Sequence, residues 1–574
     1  MNENLIALKP YLESIKKHCD NLSKEDLQEI ILGLSKEIPS KRRIDFLAKI
    51  SSFSERQIAV VSGEDILQQI EALRESIEER AASIEDGSYY DDYEGWDYDE
   101  EEPDLISGEQ KEELESFFED AANLFLSGQL DAARRVYDSL FDLLDRNQYE
   151  EEEYFSFKIS DYSLNVELRE ERARHCRCVY ETTTAKQRAT AMLAAMNIGA
   201  SLSEYRFDIY ENNLPMLLDV MNSKPGELAD WQTFLAGWKK ELSKEPSDRA
   251  NVLLLEAANM LEGLGAVESL VRTWGARQPR GYLFWIKLLE FKEDWQNAAA
   301  VARETLTVLP HGHFRAETAN RLVRAGEMLD KCDLVLLGKR ELFCSLPDDA
   351  HLLPLVKESE RQKVRASELE KALEFLSAKD KKEKTLLVKT LLLAGKIEAA
   401  FEEANLSKAL GWSYQDNAGA VLFGGILAAL TINRVEEAGT IKRVLCRYVD
   451  ESSNMFSSLS DAGKQTREDL SMSEEILTGL RNAAISEGEQ INYLSWAVNI
   501  GERRIEQIVS NKHRKAYTRA AEVLGALAEC FLLRGEREKS RRIVKEFRDQ
   551  KYNRFPAFRR EVNKVISASS LISW

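Results

Sequence analysis

A chain of 574 residues with 78 Lys and Arg against 99 Asp and Glu carries a formal net charge of −21 and is long enough for several domains and a large core. That charge argues against a general nucleic-acid binder, because neutralising phosphates needs an excess of Lys and Arg, and it favours basic partners. With 11 prolines and 28 glycines the composition favours long helices over many short strands, and seven scattered cysteines read as free, reduced thiols of a cytoplasmic protein. The amino terminus shows no basic stretch followed by an apolar run. No segment approaches the roughly 18 apolar residues of a membrane span, so no membrane segment is expected.

Residues 1–84 read as an N-terminal helical block. Ser23 and Asp26 have capping-box spacing, and Leu27, Ile30, Ile31 and Leu34 form an apolar stripe that Pro39 stops. Ile44, Phe46, Leu47 and Ile50 continue the core, and Ile66, Leu67, Ile70, Leu73 and Ile77 mark another amphipathic helix. Residues 85–108 are an acidic aromatic linker: from Gly87 to Pro103 there is no basic residue, and dense negative charge resists compaction. Tyr89, Tyr90, Tyr93, Trp96 and Tyr98 make this strip a candidate for docking on a basic groove by charge and ring burial; the alternative is a solvated tether.

Residues 109–450 read as a helical-hairpin region. Phe117, Phe118, Ala121, Leu124 and Phe125 form one face, Gly128 breaks it, and Ala132, Ala133, Val136, Tyr137, Leu140 and Leu144 form the next. The charged stretch 358–384 is expected to be an exposed helix. Residues 451–473, rich in small polar side chains, suggest a hinge open to proteases. The block 474–574 is helical again, with Ile505, Ile508, Val509, Tyr517, Ala521, Leu524, Leu527 and Phe531 as its apolar faces.

One phrase recurs along the chain: Gly, any residue, a large apolar residue, two residues, a small one. It is met at Gly128–Ala133 and Gly395–Ala400, more loosely at Gly265–Leu270 and Gly535–Ser540, and without glycine at Glu293–Ala298 and Asn433–Ala438. It predicts the tight turn of a helix hairpin, where the first helix ends on a left-handed residue and the small residue lets the second pack closely. The spacings from 265 to 293 and from 395 to 433 bracket the period of tetratricopeptide repeats, which the array resembles in degenerate form. The fold class expected is all-α, a helix-hairpin array between N-terminal and C-terminal helical blocks. Such arrays usually hold another molecule.

Catalytic motifs are missing: there is no Gly-x-Ser-x-Gly, P-loop, Gly-x-Gly-x-x-Gly or His-Glu-x-x-His. His175, Cys176 and Cys178 are the densest ligand-type cluster. On a helix, the two cysteines face apart and no second pair follows, so no metal site is expected. His311 and His313 after Pro310 read as turn histidines, and His18 beside Cys19 is a sequence neighbour only. Neither a catalytic residue nor a cofactor is expected; a thiol hydrolase using Cys19 or Cys176 is the enzymatic alternative. The strongest basic concentration runs from Asn511 to Arg519. There Arg514, Lys515 and Arg519 form a candidate cationic surface beside Tyr517, either for phosphate or an acidic partner or as a plain charged exterior with Tyr517 in the core.

Phe118 to Ala133, behind the acidic Tyr/Trp strip, resembles helical regions that accompany SWIM zinc-finger domains in bacterial proteins, and Ile508 to Ala521 is similar to their C-terminal part. The finger itself is missing, since no Cys-x-Cys is followed by Cys-x-His, so its metal and DNA functions do not carry over. The size, helical character, acidity and hinged C-terminal block also look like the accessory protein of type III-E CRISPR loci. That resemblance implies a protein that binds an extracytoplasmic-function sigma factor and is cut by an RNA-activated caspase-like protease. The leading expectation is a non-catalytic interaction protein with a basic protein partner, such as a transcription or defence factor. Its strip and the Arg514, Lys515, Arg519 group would be the contact residues.

Overall fold

In the computed structural model the described residues are 8–19, 22–37, 62–85, 104, 106–145, 159, 164–200, 202, 213–224, 226–379, 383–404, 417–450 and 471–572. Among them every regular element is a helix. The expectations for Pro39 to Ile50, for the acidic run at 86–103 and for 451–470 lie outside these residues. Two compact units divide the chain, Met1–Leu288 and Leu289–Trp574.

The first unit begins with α1 (Leu8–Cys19) and α2 (Lys24–Glu37). The Ser23 box forms as the spacing predicts: the Asp26 amide donates to Ser23 Oγ at 3.1 Å, and the Ser23 amide to Asp26 Oδ2 at 3.0 Å. The stripe behind it does not become core, because Ile30, Ile31 and Leu34 keep 43–53% of their surface exposed. The first real core gathers α3 (Gly63–Glu85), α4 (Gly108–Leu126), α5 (Leu130–Asp145) and α6 (Leu168–Thr182) around Ile70, Ile77, Phe118, Phe125, Val136 and Tyr137. A different close approach brings in α3: it starts at Gly63, where a Cβ would stand only 3.1 Å from Ala132 on α5. The unit continues through α7 (Arg188–Ala195), α8 (Leu217–Asn222), α9 (Trp231–Leu242), α10 (Asp248–Glu262) and α11 (Leu264–Trp274), and α12 (Pro279–Phe291) leads out of it. Pro279 is the first residue of α12, where its missing N–H costs nothing.

The second unit runs through α13 (Trp295–Val308), α14 (His313–Met328), α15 (Cys332–Ser345), α16 (Asp349–Arg361), α17 (Arg365–Ser377), α18 (Lys384–Leu393) and α19 (Ile397–Ala404). It continues with α20 (Ala418–Leu430), α21 (Gly439–Val449), α22 (Met472–Leu480), α23 (Glu487–Ser510), α24 (Tyr517–Leu533), α25 (Arg537–Lys545) and α26 (Pro556–Ala568). A single hydrophobic cluster extends from Leu336 to Ile572, so 474–574 shares its core with the helices before 450.

One joint recurs. Residues 128, 197, 293, 330, 363, 395, 512 and 535 all have positive φ. At each, the amide of that residue bonds the carbonyl three residues back, and the next amide bonds the carbonyl five back, which is the Schellman closure of a helix. Four successive ones, at 293, 330, 363 and 395, are 32 to 37 residues apart and form the regular part of the array. The small residue five positions on from Gly128, Glu293, Gly395 and Gly535 is at most 1% exposed in every case. Two phrases behave otherwise. Gly265 is helical and Gly263 takes the positive φ two residues earlier, so α10 and α11 are joined almost without a loop. Asn433 sits in a 3₁₀ turn broken at Arg434, although Ala438 after it is buried. Glycine also works away from the turns: α14 and α15 approach through Gly326 and Gly338, where a Cβ would meet Val335 at 3.0 Å and Val323 at 2.7 Å.

The stretch 358–384 departs from the exposed helix expected. Glu358 and Glu368 are buried, because they tie three helices together: Lys339 on α15 donates to Glu358 at 3.3 Å, and Arg340 grips Glu368 on α17 at 2.6 and 2.7 Å. Burial alone would raise the Glu368 carboxyl; the hydrogen bonds from Arg340 and Lys371 outweigh it and hold the group below its ordinary value.

Candidate functional site

The His175 cluster lies on α6, a helix that is polar by composition yet buried along most of its surface. Glu171, Arg172, His175 and Arg177 are each at most 8% exposed. They are tolerated because each finds a partner. Tyr137 Oη donates to Glu171 at 2.6 Å, and His175 Nε2 meets Asp138 at 2.7 Å. Arg172 reaches Asp145 at 2.8 Å with its guanidinium over the Phe141 ring, and Arg177 donates to the Met221 and Gly226 carbonyls.

Cys176 and Cys178 are both buried, and burial pushes each thiol up to about 12. Cys176 donates to the Ala195 carbonyl at 3.2 Å. Burial disfavours the thiolate form of both, and each side chain packs in the interior of the first unit. Among the described residues no three His, Cys, Asp or Glu side chains are grouped to hold a metal ion. Cys530 is buried, Cys344 is half-buried and Cys446 is exposed. His311 stacks edge-on against Phe375 and His313 opens α14, so both belong to the turn before that helix.

A second polar centre in the first unit was not visible in the sequence. Glu256 on α10 is buried and accepts the Leu217 and Leu218 amides at 2.8 and 2.9 Å, capping the start of α8. Burial, opposed by those amides, raises its carboxyl to about 7. Arg249, two turns earlier on the same face of α10 and 1% exposed, donates to the Met196 and Pro215 carbonyls, and burial lowers it to about 10. Asp219 joins the clamp by accepting from the Met216 amide and Arg169. Every partner here is the chain itself, so the centre fixes residues 213–222 in place.

The cationic surface is in the second unit, at the end of the bundle formed by α23 to α26. The α23–α24 joint carries Lys512 at its left-handed position and Arg514 and Lys515 on a 3₁₀ turn, all exposed. Two further segments are drawn to the same end. Tyr552 Oη lies 3.0 Å from Ser510 Oγ, and the Tyr517 and Tyr552 rings stand edge-on to Phe558 at 5.9 and 5.8 Å. This brings Lys551 and Arg554 beside the joint, together with the start of α26. Along α26, Phe558, Val562 and Val565 face the core, leaving Arg559, Arg560, Asn563 and Lys564 outside around an open depression of about 490 Å³.

Glu561, which accepts from Thr518 at 3.3 Å and Lys564 at 2.9 Å, and Glu506, paired with Lys551, answer part of the charge. Lys512, Arg514, Lys515, Arg554 and Arg559 have no carboxylate at ion-pair distance among the described residues. Arg519 is placed differently: it is half-buried on α24, next to Arg504 and Tyr448, and Tyr517 is core. The aromatic strip Tyr89, Tyr90, Tyr93, Trp96 and Tyr98 lies outside the described residues.

Fold and surface together define an all-helical protein of antiparallel hairpins with a basic C-terminal end. No family model matches the chain, and no curated protein does. Among solved structures it is similar to a circular tandem repeat protein with novel repeat topology and enhanced subunit contact surfaces, at 13% identity over 88% of this chain and 97% of that one, with a TM-score of 0.13. A score that low carries no argument, and the SWIM-associated and CRISPR resemblances rest on the residues and composition quoted for them. No helix among the described residues is long and apolar enough to cross a membrane.

Proposed function

We propose that this chain is a non-catalytic interaction protein whose helix hairpins present a surface to a protein partner, basic in overall character, such as a transcription or defence factor. The observation that supports this most is the run of four like joints at 293, 330, 363 and 395, since stacked hairpins of this kind generally serve as extended binding surfaces. A net charge of −21 favours a basic partner and rapid, salt-sensitive association. The acidic strip with Tyr89, Tyr90, Tyr93, Trp96 and Tyr98 is the contact this reading assigns to that partner. Deleting residues 85–104 tests it. Partner affinity should fall and its salt dependence flatten; affinity and salt response both unchanged would remove the strip from the reading.

A further inference from the structure

We infer that the basic end of the C-terminal bundle is a docking surface for a short acidic peptide segment of a protein partner. This surface is made of other residues than the acidic strip, and the inference does not rest on the reading above. Residues 511–574 hold 16 Lys and Arg against 7 Asp and Glu, in a chain whose totals are 78 and 99. The excess is therefore local, and the fold concentrates it further. Two segments distant in sequence deliver Lys512, Arg514 and Lys515 from one, and Arg554, Arg559 and Arg560 from the other, to one end of one bundle. Exposed like charges collected in this way repel one another, which lowers stability unless an anion answers them. Buried carboxylates elsewhere in this unit show that the fold supplies partners where charge is only structural: Glu368 answers Arg340, and Glu522 answers Arg447. At this end Lys512, Arg514, Lys515 and Arg554 are left without one, and Arg559 has only Asp549, beyond ion-pair distance.

The surface suits carboxylates better than a nucleic acid. The rings behind it, Tyr517, Tyr552 and Phe558, are each below 5% exposed, so they offer no platform on which bases could stack. From Arg559 to Ser567 the outer stripe of α26 runs about 12 Å, the reach of roughly four extended residues. A longer polyanion would leave this patch and run over the rest of the chain, where acidic residues outnumber basic ones. A short segment of Asp and Glu pairs with the guanidinium forks and meets no such repulsion.

The test is fluorescence anisotropy on the full chain with two labelled probes, a short Asp/Glu-rich peptide and a single-stranded DNA of equal length. The peptide should bind, and its affinity should fall steeply with salt. R514E/K515E and R559E/R560E should each weaken it about tenfold or more. R537E/K539E changes net charge equally at the far end of α24, roughly 25 Å away, and should leave affinity near wild type. No peptide binding, equal losses in all three variants, or tighter binding of the DNA would each overturn the inference. All the substituted side chains are exposed, and unchanged circular dichroism and melting show that the variants are folded; if a reversal fails this check, R514A/K515A is read in its place.

Discussion

Glu256 is a carboxylate held among amides and one guanidinium inside the first unit. Its pKa is about 7 when folded, against an ordinary 4.5, because burial penalises its charge. Between those values the folded chain holds the proton more tightly than the unfolded one. The contribution of this group is therefore complete below its ordinary value and is lost as pH rises through about 7. E256Q removes the titration while keeping an acceptor for the Leu217 and Leu218 amides. On raising the pH from about 5 to about 8, wild type should lose roughly 2 kcal/mol relative to E256Q in denaturant unfolding. Parallel pH curves for the two proteins would show that Glu256 titrates normally. Nothing in the sequence marks this residue, because its neighbours Leu217, Leu218 and Arg249 come together only in the fold. The same holds for α6: periodicity reads Glu171, Arg172, His175 and Arg177 as solvent-facing, yet pairing lets all four be buried.

At the scale of elements, the joint was legible where a glycine carries it and hidden where the fold imposes it. Gly128, Gly395 and Gly535 announce a left-handed position, and the buried small residue after each follows from the same phrase. Asn197, Asp330, Lys363 and Lys512 adopt the same positive φ, but the two lysines are a residue type that tells little, since the closing hydrogen bonds and not the side chain hold them there. The exposed stripe of α2 misled for the opposite reason: apolar spacing shows which side chains share a face, not whether anything covers it. Two glycine substitutions separate conformation from space. Gly128 has φ +85 with nothing near a Cβ, so G128A should cost about 1 kcal/mol from backbone strain alone. Gly395 has φ +70 with the Gly479 carbonyl 2.9 Å from its Cβ position, so G395A should cost about 1–3 kcal/mol more. Equal losses in urea unfolding would contradict the close approach of α22 to the end of α18.

For the whole molecule, residues 451–470 separate two stretches of sequence without separating two bodies. Glu529 on α24 is fully buried and caps α21 by accepting from the Thr440 amide at 2.9 Å, Thr440 Oγ1 at 2.7 Å and the Ile441 amide at 3.1 Å. Asp450 accepts from the Met472 amide at 2.9 Å and Ser473 Oγ at 2.7 Å, and Arg365 donates to the Glu475 carbonyl at 2.9 Å. A protease site placed within 451–470 and cut should leave the two fragments eluting together in native buffer and apart in denaturant. Release in native buffer would mean that the shared core from Leu336 to Ile572 does not hold them. A cut in the protease-open hinge expected at 451–473 would therefore not by itself release the C-terminal block. The function proposed for the molecule is binding, and its most direct test is affinity capture of the intact chain from extract of its native host at low and high salt, read by mass spectrometry. A discrete basic protein retained at low salt and lost at high salt is the predicted result. Retention of no protein at either salt would contradict it.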